Sequence, residues 1–292
     1  MNTKMLLLVP LTALCIGVGA VAAAETKITS DVVYGHKDGL ALTYDVLQPS
    51  EPNGAAVLWI QSGGWYSSWQ SPQNFLAAGK PYLDKGFTLY VVRHGSAPKY
   101  NILEAAADVR RAVRHIRANA ETFGVDPERL GVTGGSAGGH LTLVLATTGD
   151  DGDPQAKDPV LRMSTRIAAA AALYPPTDLR AWVTDPPAEI RKHPGLKPPL
   201  TFDPARSGEV SPVLHVNEQT APTLLIHGDK DELVPLEHSN NLVTELKKTK
   251  VPHRLLVIEG AGHGFSKEQA TEIVYPAMVG WFETHLLKSE SK

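Results

Sequence analysis

Apolar and polar positions alternate at both short and helical periods along this chain. After an Asp38-Gly39 turn signal, Leu40, Leu42, Tyr44 and Val46 alternate with polar or small residues, which predicts a half-buried strand of a hairpin. Continuous apolar runs follow at 55–60, 87–92, 130–133, 167–174, 223–226 and 255–258. Runs of this length without alternation suit strands covered on both faces, as in a parallel sheet. Between them, Ile102, Ala106, Val109, Val113 and Ile116 repeat at steps of four and three, one stripe of an amphipathic helix. Leu242, Val243 and Leu246 predict a second helix, and Val274, Met278, Trp281, Phe282 and Leu286 a closing one. Two early antiparallel strands followed by β-α units predict an α/β fold, a mostly parallel twisted sheet with helices on both faces. Sites in such sheets gather at the carboxyl ends of the strands.

One segment interrupts the alternation. Residues 175–222 are rich in proline, lack apolar periodicity and are too long for a plain connection. We expect an excursion near the active-site end, with a purely structural loop as the alternative.

The N-terminus has its own pattern. Lys4 precedes a mostly apolar stretch from Met5 to Val21, and Ala22-Ala23-Ala24 supplies a small-residue cleavage site. This predicts a signal peptide over 1–24 and one catalytic domain over 25–292, secreted or periplasmic after cleavage near Ala24. The alternative, an N-terminal membrane anchor, is weakened by the short run, Pro10 and the glycines. The single cysteine is Cys15, preceded by Leu14 rather than a small residue, so a lipid anchor is not expected. A chain cut after Ala24 has no cysteine and no disulfide.

The 292 residues are 42% hydrophobic and 20% charged, with a formal charge of −3. This is ordinary globular composition without the basic field that nucleic acid requires. No HExxH or paired-histidine spacing points to a metal.

The chemistry concentrates at Gly134-Gly135-Ser136-Ala137-Gly138-Gly139, a G-x-S-x-G motif between a predicted strand and a predicted helix. A serine on so tight a turn is strained, and glycine at 134 and 138 removes side chains that would collide. The turn lifts the hydroxyl above the sheet and aims the Ala137 N–H at a reacting oxygen. A serine needs a base. His263, in Gly260-Ala261-Gly262-His263-Gly264-Phe265 before the last helix, fits the chain order Ser–acid–His. His140, one turn beyond Ser136, is read as a packing residue and His227 as a strand end. The acid lies in the loop after 223–226, where Asp229, Asp231 and Glu232 are equally placed. A histidine base predicts a rate that falls below about pH 6–7.

From about Tyr44 to Leu287 the chain resembles the α/β-hydrolase superfamily. The likeness is strongest to esterases of its hormone-sensitive-lipase-like and feruloyl/acetylxylan-esterase-like branch, related to prolyl oligopeptidases. The likeness rests on Gly134–His140, Asp126-Pro127-Glu128-Arg129, His227-Gly228-x-x-Asp231-x-x-Val234-Pro235 and Gly262-His263-Gly264-Phe265. It implies Asp231 as the triad acid. It also implies an oxyanion hole from the N–H groups of Gly63, Gly64 and Ala137. The family's H-G-G-G-W loop is here Gln61-Ser62-Gly63-Gly64-Trp65, so two of its residues differ. Trp65 and Tyr66 are candidate substrate contacts, with Trp69 nearby as pocket or rim. The expected reaction is hydrolysis of a small-molecule or polysaccharide-linked ester, acetyl or feruloyl, through an acyl-enzyme and without a cofactor. An amidase or peptidase, an arylformamidase among them, is the alternative within the fold. A non-catalytic binding protein is the alternative outside enzymes.

Overall fold

The computed structural model describes residues 25–287. The proposed signal peptide and Cys15 lie outside them. Eight strands form one sheet: β1 (Lys27–Lys37), β2 (Leu40–Gln48), β3 (Ala56–Ile60), β4 (Thr88–Val92), β5 (Leu130–Gly135), β6 (Ala169–Leu173), β7 (Thr223–Gly228) and β8 (His253–Ile258). Their spatial order is β1-β2-β4-β3-β5-β6-β7-β8. β1 and β2 pair antiparallel, as do β2 and β4, and every later pairing is parallel. The Asp38-Gly39 turn closes the hairpin with both residues at positive φ, 49° and 77°, as the right-handed twist of the strands demands.

Helices cover both faces, and strand alternation decides which. Ala170 and Ala172 of β6 face α3 (Ala137–Thr147), on the side that also holds α2 (Ile102–Ala118) and the Glu237–Thr249 helix. Ala169, Ala171 and Leu173 face the other way, toward α1 (Leu76–Leu83) and the C-terminal helix Tyr275–Leu286. The apolar stripe of α2 is buried throughout, and its start is fixed by a capping box between Asn101 and Glu104. Gly131 of the central strand β5 is a close-approach site. A Cβ there would lie 2.6 Å from Phe282 of the C-terminal helix.

The helix α1 has no counterpart in the periodicity. Its sequence, LAAGKPYL, is small-residue-rich and carries Pro81 inside, so packing on β4 and the C-terminal helix holds it rather than propensity. The proline-rich segment folds as short helical turns, among them Arg180–Thr184, Ala188–Arg191, Pro194–Leu196 and Pro204–Val210. It lies over the carboxyl ends of the strands. The Tyr66 hydroxyl donates to the Gly195 carbonyl at 2.9 Å, and the His140 ring to that of Val210 at 2.7 Å. The expected excursion at the active-site end is present.

Candidate active site

Ser136 follows β5 directly and precedes α3, with φ 53° and ψ −120°. That backbone is strained for a residue with a side chain. A Cβ at Gly134 would lie 2.6 Å from the Gly138 carbonyl carbon, and one at Gly138 2.6 Å from the Ile60 carbonyl oxygen. The glycines are therefore required by backbone contact, as the motif predicts. The Ser136 N–H donates to the Leu173 carbonyl at 2.9 Å, and its carbonyl accepts from His140 N–H at 2.8 Å. Both bonds hold the turn while leaving the hydroxyl free.

The candidate base, His263, arrives from the loop after β8. His263 Nε2 is 2.8 Å from Ser136 Oγ, and its Nδ1 is 2.8 Å from Asp231 Oδ2. An ionised carboxylate only accepts, so Nδ1 carries the proton and Nε2 is left to accept from the serine hydroxyl. The Tyr174 ring packs edge-on to the imidazole, with centroids 4.8 Å apart. The two loops meet because residue 228 is glycine, where a Cβ would overlap the Ala261 carbonyl.

The structure separates the three acids. Asp229 accepts from Gly260 N–H at 2.7 Å and thus braces the histidine loop. Glu232 is exposed. Asp231 alone reaches the imidazole. Its Oδ1 accepts from Leu233 and Val234 N–H at 3.1 and 2.9 Å. Burial pushes the carboxyl upward, but hydrogen bonds from His227, His263 and Val234 outweigh it and hold Asp231 well below the usual carboxylate range.

His227 is a component that the strand reading overlooked. Fully buried, it places Nε2 2.8 Å from the Val234 carbonyl and 3.3 Å from Asp231 Oδ2. The carbonyl can only accept, so Nε2 carries hydrogen, and Nδ1 accepts from Ser239 Oγ at 2.7 Å. The signal was present as the first letter of His227-Gly228-x-x-Asp231.

The loop 61–66 departs from the expectation. The Gly63 N–H donates to the Tyr66 carbonyl at 3.0 Å, and the Tyr66 N–H returns to Gly63 at 2.9 Å, closing a tight turn. Gly63 is thereby corrected from oxyanion donor to turn-former. Among the described residues, the N–H groups of Gly64 and Ala137 donate to no protein acceptor. Ser62 is accommodated by a partner. His94 donates from Nδ1 to the Gly95 carbonyl, so its Nε2 accepts from Ser62 Oγ at 2.8 Å. Burial lowers His94 from 6.5 to about 4, which keeps it in that neutral state. The Ser62 carbonyl accepts from Gly138 N–H at 3.2 Å, joining this loop to α3 just after Ser136. Gln61 donates to the Ser68 carbonyl at 2.7 Å.

The substrate-contact reading of Trp65 is overturned. Trp65 is 2% exposed, with its indole N–H on His140 Nδ1 at 3.2 Å and its ring against Trp182. His140 is a packing residue, as expected, and burial lowers it to about 4. The cavity beside His263, about 340 Å³, is lined by Glu189, His193, Lys230, Glu232, Leu233 and Gly262. Neither Trp65 nor Tyr66 lines it. A second, more apolar cavity of about 490 Å³ lies within the excursion, around Trp182, Ile190, Leu200 and Phe202, and shares His193 with the first. Among the described residues no cluster suited to a metal occurs.

Such an arrangement can deliver a serine hydroxyl to an electrophilic carbon, with a histidine to take and return its proton. Sheet order, strained serine turn and histidine loop define an α/β-hydrolase fold. The BD-FAE family matches residues 44–246, and the chain belongs to that family. Esterase LipC of Mycobacterium tuberculosis is 27% identical over 244 residues, 80% of this chain and 59% of that protein. The chain thus spans little more than half of that curated relative's length. A truncated carbohydrate esterase from gut microbiota superposes with TM-score 0.74 at 22% identity, covering 92% of this chain and 99% of that one. The acetyl ester-xyloside bifunctional hydrolase of Caldicellulosiruptor lactoaceticus gives 0.71 at 24%, covering 91% and 98%. At these identities the two structures speak to the fold.

Proposed function

We propose that this protein is an exported serine carboxylesterase. The observation that carries the reading is the pair of 2.8 Å contacts that place His263 between Ser136 and Asp231. Ser136 Oγ attacks the ester carbonyl as His263 takes its proton, and Asp231 holds the imidazole tautomer and balances the imidazolium. The free N–H groups of Gly64 and Ala137 receive the oxyanion, with Gly63 shaping the turn that presents Gly64. His263 then protonates the leaving alcohol, and water repeats the sequence on the acyl-enzyme. Family membership and the esterase names of its relatives support ester over amide bonds. The carbohydrate-esterase neighbours and the N-terminal 24 residues support short acyl esters on polysaccharide, met outside the cytoplasm.

Ser136→Ala is expected to lower p-nitrophenyl acetate hydrolysis by about 10⁶-fold, as loss of a triad nucleophile does. Wild-type activity in the purified, folded variant refutes the reading. A matched p-nitroanilide of the same acyl group should be the slower substrate for the wild type, and faster cleavage of the amide would reassign the class.

A further inference from the structure

The loop that carries Gly64 continues to a tryptophan that the mechanism does not use. Trp69 is 61% exposed, an unusual position for an indole. It is not loose. Its Nε1–H donates to Asp31 Oδ1 and Oδ2 at 3.1 and 3.3 Å. Asp31 sits at φ 55° beside an irregularity in β1, and its own N–H donates to Asp45 Oδ1 at 2.8 Å. Arg93 joins the two carboxylates, bonding Asp45 through both terminal nitrogens at 2.6 and 3.0 Å and Asp31 at 2.9 Å. Arg93 and Asp45 are buried. The indole edge is thus anchored to a buried ion-pair network while its rings meet solvent. The loop is stapled as well, by Gln61 on Ser68 and by Ser67 Oγ on the Gln61 carbonyl at 2.7 Å.

The surroundings narrow the ligand. Ser68, Gln70, Gln73 and Asn74, in the same segment as the indole, are exposed. Residues 52–79 contain no Asp, Glu, Lys, Arg or His, in a chain that is 20% charged. The charged side chain against the indole is the half-exposed Asp31 carboxylate, already paired with Arg93, so an anionic partner is disfavoured and the 52–79 segment offers no free charge to any other. A neutral polyol finds both things it needs: a flat ring for its C–H face and amides and hydroxyls for its hydroxyl groups. A bare apolar protein contact would leave the amide-rich rim without a role.

Position adds the last constraint. Trp69 is five positions after Gly64, so their Cα atoms lie within about 17 Å, a few sugar rings of reach. Gln61 and Arg93 follow the ends of β3 and β4, at the sheet end where Ser136 follows β5. We infer that Trp69 and the exposed amides of its segment form a subsite for a neutral oligosaccharide, holding the glycan while an ester on it reaches Ser136. This rests on the esterase reading for its purpose, not for its binding.

Binding is therefore measured without turnover. Xylohexaose is titrated into the Ser136→Ala protein by calorimetry and tryptophan fluorescence, with an oligogalacturonate of equal length as the anionic control. We expect saturable binding of xylohexaose that Trp69→Ala weakens about ten-fold or more and Trp69→Phe partly restores. The oligogalacturonate should bind more weakly. In the otherwise wild-type chain, Trp69→Ala should lower the ratio of activity on acetylated xylo-oligosaccharide to that on p-nitrophenyl acetate by a similar factor. Xylohexaose affinity indifferent to residue 69 overturns the subsite, as does Trp69-dependent self-association in sedimentation. Loss of the esterase reading shows separately, as an inactive wild type, and leaves the titration readable.

Discussion

At the scale of single residues, the site depends on what surrounds Asp231 as much as on Ser136. Three neighbouring acids have different tasks: Asp231 orients the imidazole, Asp229 braces the loop at Gly260, and Glu232 lines the cavity. Nothing in a run of closely spaced acids encodes that division, because it is fixed by which side chain the turn after β7 directs inward. Ser136 was legible because the glycines around it are required by backbone contact, and His263 because its glycine-rich loop stands in the chain order Ser–acid–His. Trp65 was not, since a tryptophan beside a loop reads the same whether it faces ligand or core. His227 leads to a prediction. His227→Leu removes the N–H shared by Val234 and Asp231, and kcat should fall about ten-fold with KM little changed. The acid limb of the rate profile should move up in pH, because the Asp231 charge is then concentrated on His263. His227→Gln, which keeps a donor, should recover part of the rate. An unmoved limb with a lower Tm would make His227 a packing residue only.

At the scale of elements, the Ser136 turn is a contact between three strands and a helix. Gly138 meets the end of β3, Gly139 the Leu173 carbonyl at the end of β6, and Gly134 the first turn of α3. Gly138→Ala should therefore destabilise the fold by about 1–3 kcal/mol and lower activity, read from urea unfolding and p-nitrophenyl acetate turnover. Unchanged values for both would mean that the turn relaxes freely. The strands were legible because burial on both faces leaves long apolar runs. The helix α1 was not, since Ala, Gly and Pro81 give it no stripe and tertiary packing supplies its order. The excursion was legible as an interruption, but not as the wall of two cavities.

At the scale of the molecule, burial keeps several histidines in neutral form. Burial lowers His94, His140 and His238 each from 6.5 to about 4. The unfolded chain binds protons between those values that the folded chain does not, so stability is full above about pH 6.5 and is lost as pH falls toward 4. Asp231 adds to this at lower pH. Its depressed folded value contributes stability above the unfolded carboxylate range that is lost as pH drops through and below it. The urea midpoint should fall steadily from pH 7 to 4.5. His140→Gln, which can accept from Trp65 and donate to Val210, should flatten that fall. Equal midpoints at the two pH values would contradict the buried-neutral assignment.

The central claim, that Ser136 is the nucleophile of an ester hydrolase, is tested most directly by covalent trapping. The wild-type protein is treated with diethyl p-nitrophenyl phosphate, and the modified residue is located by peptide mass mapping as residual p-nitrophenyl acetate activity is followed. We predict one diethylphosphoryl group per chain, on Ser136, accumulating in step with the loss of activity and absent from Ser136→Ala. Inactivation without a label on Ser136, or a fully labelled Ser136 in an active enzyme, would contradict it.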